Sequence, residues 1–328
     1  MIVHYPEFLD EKNFHYWQPY KDVFFDYFFE QYKNEDTIVF FHPTEYGTLI
    51  EDKKFFKRVL EFCEQNNIDF TVWLGHHNNY SHKNVVNWKW FCALYTLYMK
   101  KHMENKFGTF DRNITLDKLF TCYNYKARLH RCMLIDLLYK NNLQDLGYIS
   151  WHNIYEDSKK SWQYNFEHFT PKKIVFDEYF DPQNYLGHLC NHYSFYNSVF
   201  NIVTESRAHN IELSEKTFWC IWSKKPFLIL GAKGIHTYLE SYGIKKYPIF
   251  DYSFDNFDSL EDRVRGIIKN VKSLKGTDYQ MLCNQCLDIS ENNYNVMYKI
   301  CKTDPIKEKF LKLNYNDPHY EYYKELVT

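Results

Sequence analysis

The run Lys118-Leu119-Phe120-Thr121-Cys122-Tyr123-Asn124, followed by the short loop Tyr125-Lys126-Ala127-Arg128 and a helix-forming stretch that continues to about Lys140, decides the fold class. An apolar and aromatic run bounded by a polar turn reads as a strand. A strand that leads straight into a helix returns to its sheet by a crossover, which gives parallel pairing. Two further runs, Val199 to Thr204 and Pro226 to Leu230, read as buried strands, separated by a helix expected from Glu215 to about Ser223. This alternation is that of an α/β domain on a parallel sheet.

Upstream the pattern repeats. Asp36 to Phe41 reads as a strand, Lys53 to Gln65 as a helix with Phe55, Phe56, Val59, Leu60 and Cys63 at helical spacing, and Phe70 to Leu74 as a second strand. Val85 to Met103 reads as a further helix, and Gly108 to Thr115 as a linker. From about Ser259 the chain is expected to be mostly helical, interrupted by Pro305 and Pro318. The divisions that follow are 1–115, 116–270 and a helical tail 271–328.

Lys and Arg number 40 against 42 Asp and Glu, a formal charge of -2. No overall field is present to hold a polyanion or an acidic membrane surface, so phosphate binding falls to a local patch. The nine cysteines sit in apolar contexts such as Glu61-Phe62-Cys63. A chain of 328 residues needs no staples, and they read as reduced core thiols. Cys283 and Cys286 form an isolated C-x-x-C with no second pair to complete a zinc site. No apolar run reaches the roughly 18 residues that cross a bilayer, and Met1-Ile2-Val3-His4-Tyr5 lacks the basic-then-apolar pattern of a leader. The expectation is a cytoplasmic protein with no membrane span.

Three constellations carry chemistry. Arg128 and Arg131 open the helix after the first of these strands, with side chains roughly 60° apart around its axis. Leu129, Met133, Leu134 and Leu137 then set the apolar face on the other side, which leaves both guanidiniums on one polar edge of the first turn. Cations there oppose the helix dipole. A bound anion reverses that, and free N–H groups with two guanidinium forks suit a diphosphate. The alternative is two solvated arginines.

The second constellation is Thr204-Glu205-Ser206 with Ser214-Glu215-Lys216-Thr217. Ser214 fits a helix N-cap and Glu215 a first-turn anion, which explains both without a ligand. A Glu beside a Lys at that place also suits ribose hydroxyls and a phosphate. Third, in the loop Gly231-Ala232-Lys233-Gly234, the glycines Gly231 and Gly234 let a phosphate or sugar approach the backbone. Strand-to-helix turns also use Gly for conformation alone.

Ser214-Glu215-Lys216-Thr217, followed by Lys224-Lys225-Pro226-Phe227-Leu228-Ile229-Leu230-Gly231, resembles the C-terminal motif of fucosyltransferase-like GT-B glycosyltransferases. There a Thr/Ser-Glu-Lys triplet opens a helix and a Pro-led buried strand ends in Gly. Ile202-Val203-Thr204-Glu205-Ser206 and the strand-loop-helix from Asn124 to Arg131 are similar to the same group's sheet and Arg-bearing phosphate loop. The resemblance covers roughly Lys118 to Asn270. It implies an α/β chain of two Rossmann-like domains of GT-B type, with a cleft between them and a helical C-terminal tail. It implies a nucleotide-diphosphate sugar as donor, with Glu215 facing the ribose, Lys216 with Arg128 or Arg131 on the diphosphate, and Glu205 near the donor sugar. The acceptor would offer a hydroxyl on a glycan, a lipid-linked glycan, a protein or modified DNA.

The N-terminal half carries no signature of that group. Parallel sheets gather ligands at the C-terminal ends of their strands, so a base that deprotonates the acceptor is expected in the loops holding His42, Glu45, His76 and His77. Glu45, close to Gly47 in a short polar loop, is the first choice and His76 the second. No Asp-x-Asp is present to hold a divalent ion, and the acidic clusters Asp177-Glu178 with Asp181, and Asp251, Asp255 and Asp258, read as solvated turns. No metal site is expected, and the leaving-group charge falls to Arg128, Arg131, Lys216 and helix N-termini. Two other classes compete. One is another nucleotide-sugar enzyme; its redox-cofactor form lacks here the Gly-x-Gly-x-x-Gly turn it needs. The other is a noncatalytic nucleic-acid binder with aromatic platforms and Lys126, Arg128 and Arg131 on phosphates, against which the near-zero charge stands.

Overall fold

The computed structural model of the protein describes residues 2–4, 33–34, 36–42, 53–74, 83–107, 115–155, 164–176, 193–312 and 324. The chain divides into two compact units, Met1–Tyr95 with Thr303–Thr328, and Thr96–Lys302. Both are mixed α/β.

In the first unit β1 (Ile2–His4), β2 (Thr37–His42), β3 (Asp69–Leu74) and β4 (Val85–Asn87) form a parallel sheet in that order. β2 and β3 pair along their whole length, from Thr37 opposite Asp69 to His42 opposite Leu74. Helix α1 (Lys53–Gln65) makes the crossover between them, and Val59, Cys63, Ile68, Phe70 and Trp73 are buried. The helix expected from Val85 is corrected at its start. Val85 to Asn87 pairs with Val72 to Leu74, because paired β-branched valines suit a pleated edge better than a helix. Helix α2 (Phe91–Phe107) begins only after Trp88. The C-terminal helix Pro305–Leu311 belongs to this unit. Asp304 caps it by accepting from Ile306 N at 2.9 Å and also accepts from Trp88 Nε1 at 2.8 Å. Phe310 packs against Trp73 and Trp88, with ring centroids 5.5 and 5.1 Å away.

The second unit holds β5 (Lys118–Ala127), α3 (Leu129–Lys140), β6 (Gly147–Tyr155), α4 (Tyr193–Tyr196), β7 (Ser198–Thr204), α5 (Glu215–Trp222), β8 (Phe227–Leu230), α6 (Ile235–Glu240), α7 (Leu260–Ser273) and α8 (Tyr279–Lys302). Its sheet is parallel throughout, in the order β6-β5-β7-β8. The strand expected to end at Asn124 runs on to Ala127, past a register shift between Asn124 and Lys126. β6 was not anticipated from the sequence; its first residue, Gly147, lies opposite Phe120, and a Cβ there would lie 2.3 Å from the Phe120 ring. The core joins Leu119, Phe120 and Cys122 of β5, Val199, Phe200 and Ile202 of β7, Phe218 and Ile221 of α5, and Ile267 and Val271 of α7.

These units differ from the divisions at 115 and 270. Of the expected linker Gly108 to Thr115, only Thr115 lies within the described residues. The expected tail is divided between the units: Pro305–Leu311 belongs to the first, whereas α8 packs into the second, where Asn293 accepts from Lys245 N at 2.7 Å and donates to Lys245 O at 3.0 Å, and Tyr294 meets Trp222 edge-on at 5.5 Å. Among the described residues no helix is long and apolar enough to cross a membrane.

Candidate functional site

The strand order β6-β5-β7-β8 makes a topological switch point. Chain leaving β5 turns through α3 to β6 on one side, and β7 lies on the other. In open parallel sheets the crevice for ligands lies outside the C-terminal ends of the two strands that flank such a point. Here those ends are Ala127-Arg128 and Thr204-Glu205, with Gly231 following β8 next to them.

Arg128, Arg131 and Lys216 come together at this point, although two of them precede β7 and the third follows it. Arg128 is the N-cap residue of α3, and its Nη1 donates to the Ser206 carbonyl. Arg131 Nη2 donates to the carbonyls of Thr204 at 3.0 Å and Glu205 at 3.2 Å, and Nη1 to that of Lys126 at 3.2 Å. His130 stands between them, its Nε2 2.8 Å from the Glu205 carbonyl. Burial first, then the charges of Arg131, Arg128 and Lys216, hold the His130 imidazolium well below its ordinary range. It therefore acts as a neutral donor to that carbonyl.

The expectation of two arginines on an exposed polar edge is corrected. Arg131 is 2% exposed while Leu129 is 40% exposed, so α3 turns its His130-Arg131-Leu134-Ile135-Leu138 side to the sheet. The helix carries apolar residues on most of its circumference, and periodicity alone does not choose the face. The choice follows from pairing: the carbonyls that end β5 and β7 need donors, and a guanidinium supplies several in a fixed fork.

Glu205 is fully buried. Its carboxylate accepts from Ser214 N at 3.2 and 3.1 Å and from Thr217 Oγ1 at 2.5 Å, so it ties the end of β7 to the first turn of α5. Desolvation raises its pKa, against those hydrogen bonds and the nearby Lys216. Ser214 is the N-cap, as its position suggested, and accepts from Lys216 N at 3.4 Å. Glu215 and Lys216 are half-buried, with Lys216 Nζ 3.6 Å from Glu215 Oε1.

Gly231 is pressed between Ile235 and Glu205, where a Cβ would meet Ile235 Cδ1 at 2.8 Å. Gly234 has φ of 77° at the N-cap of α6, a left-handed conformation open to glycine. Behind this loop Asp255 accepts from His236 N at 3.2 and 3.1 Å and from Thr237 N at 3.1 Å. It is 1% exposed, which corrects its reading as part of a solvated turn. Asp251 and Asp258 are surface residues paired with Lys269 at 2.9 Å and Lys233 at 2.6 Å.

Sequence reasoning did not single out His130, His236 or Arg263. Arg263 of α7 donates to the carbonyls of Ala208, Phe257 and Asp258 at 2.9, 2.8 and 2.9 Å, pinning the loop that follows β7. No local motif marks such a residue, since its partners are main-chain atoms. Glu45, His76, His77, Asp177, Glu178 and Asp181 lie outside the described residues, and His42 is described only as the backbone end of β2. Among the described residues no group of three or more His, Cys, Asp or Glu side chains could hold a metal ion. Comparison with models of protein families, with curated proteins and with solved structures finds no match for this chain.

Proposed function

We propose that the protein is a glycosyltransferase of GT-B type with two Rossmann-like domains, which moves a sugar from a nucleotide-diphosphate donor to a hydroxyl acceptor in the cytoplasm without a divalent metal. One observation carries this reading: Arg128 and Arg131 at the start of α3, and Lys216 in the first turn of α5, are drawn from two separate segments to the C-terminal ends of β5 and β7. A cluster of cations at a switch point, beside a helix N-terminus, suits a diphosphate.

In this reading Arg128 and Lys216, both half-buried, face the diphosphate, and Glu215 accepts from ribose hydroxyls. Gly231 and Gly234 let the donor pass close to the backbone. Arg131 and Glu205 act from behind, fixing the carbonyls and the helix start that shape the crevice. The cations are held in place before the leaving group departs, which is how charge is stabilised without reorganisation. The acceptor is a hydroxyl of a glycan, a lipid-linked glycan, a protein or modified DNA, activated by Glu45 or, second, His76.

Calorimetric titration with UDP, GDP, CDP, ADP and dTDP tests the reading. At least one is expected to bind, in the presence of EDTA as in its absence. Arg128→Ala is expected to weaken that binding at least about tenfold, the loss of one charge-assisted contact. Failure of every nucleotide to bind, or equal affinity in Arg128→Ala, overturns it.

A further inference from the structure

The opposite edge of the same sheet, at the N-terminal ends of β7 and β8, carries a cavity of about 320 Å³. Val199, Pro226 and Leu287 form an apolar wall, and Lys225, Ser223 and Ser290 a polar one. Lys225 is 7% exposed. Its Nζ donates to the Ser198 carbonyl and lies 5.5 Å from the centre of the Phe195 ring. The hydroxyl of Ser223 has no hydrogen-bond partner among the described residues, and that of Ser290 faces the Tyr247 hydroxyl.

The cavity's other two lysines have counter-ions, Lys100 in Glu104 and Lys224 in Glu291. Lys225 has none among the described residues. The groups that reach it electrostatically are the thiols of Cys283 and Cys220, and burial pushes both thiols up, that of Cys220 to about 12. They stay neutral. Desolvation accordingly lowers the Lys225 ammonium to about 7. Beyond the Ser198 carbonyl and the Phe195 ring, an anion brought to this buried amine stabilises its cationic form.

We propose that this cavity binds a short-chain organic carboxylate, whose carboxylate group pairs with Lys225 Nζ and accepts from the Ser223 and Ser290 hydroxyls while its carbon chain lies on Val199, Pro226 and Leu287. The unpartnered Ser223 hydroxyl, and the Ser290 hydroxyl when it accepts from Tyr247, supply donors for the remaining carboxylate lone pairs. The apolar wall favours an anion with a carbon chain over an inorganic one. The other titratable or charged groups around the amine are Lys100 and Glu104 on α2, Tyr196 on α4, Lys224 beside it, Cys220 on α5, Cys283 and Glu291 on α8, and Tyr247, whose hydroxyl donates to the Lys225 carbonyl at 3.4 Å.

Calorimetric titration of the full chain with hexanoate, and with acetate for comparison, at about pH 6.5 and about pH 8.5 tests the proposal. Hexanoate is expected to bind more tightly than acetate, each buried methylene tightening binding about fourfold. Only the protonated amine is competent, so affinity is expected to fall about twentyfold between the two pH values. Lys225→Met is expected to abolish binding, and Arg128→Ala to leave it unchanged, which separates this site from the nucleotide reading. No hexanoate binding at the lower pH, an affinity that ignores pH, or binding retained in Lys225→Met overturns it. The first two results are read on the wild-type chain and do not depend on how any variant folds.

Discussion

Replacing Arg131 with alanine is expected to destabilise the protein by on the order of 3–5 kcal/mol. The guanidinium donates to the carbonyls of Lys126, Thr204 and Glu205, and it is 2% exposed. Truncation leaves the Lys126 and Thr204 acceptors without this donor and opens a cavity between α3 and the sheet. One term acts the other way, since removing a buried cation relieves its desolvation cost. Arg131→Met, which keeps much of the volume and loses the charge, is therefore expected to lose less. Urea unfolding measures both, and a loss under about 1 kcal/mol in Arg131→Ala would show that the guanidinium does not hold the two strand ends together.

Glu205→Ala is expected to cost on the order of 2–4 kcal/mol, because Ser214 N–H and Thr217 O–H lose their shared buried acceptor. Its pH dependence has a definite sign. The folded protein holds the Glu205 proton more tightly than the unfolded chain does. The stability from this group is thus full below the ordinary carboxylate range and declines as pH rises through the raised value. Glu205→Gln is expected to remove that decline, so the stability difference between wild type and variant should shift toward the variant as pH rises. A carboxylate that faced a donor sugar would behave differently: its loss would change nucleotide-sugar affinity and leave the melt of the free protein alone.

The elements of the second unit were legible in the sequence wherever capping and apolar runs agree. Ser214 before Glu215 and the Pro226-led run of β8 each mark a boundary within a residue or two of the observed one, and the start of α3 after Arg128 falls where expected although Tyr125 to Ala127 are strand and not loop. Arg128, Arg131, Glu205, Glu215 and Lys216 were legible as types and positions, but their roles were not. Whether Arg131 turns outward or inward depends on acceptors that only strand pairing across β5 and β7 creates. His130 and Arg263 bond main-chain carbonyls, so no side-chain pattern announces them. β6 escaped notice because Ser150 and His152 interrupt its apolar run, and β4 because a short β-branched stretch leads into a long helix.

The central place of β5 bears on how the chain reaches this state during synthesis. Phe120 lies opposite Gly147 on one side and Phe200 on the other. The β5-α3-β6 module is complete soon after it leaves the ribosome, whereas β7 is made later and must close a longer loop, an entropic step that precedes any gain from its contacts. Until then the apolar flank of β5 that β7 will cover is an unpaired edge, open to other chains. The same step brings the Thr204 and Glu205 carbonyls to Arg131, so these hydrogen bonds do not exist in the nascent module and form only when the sheet is complete.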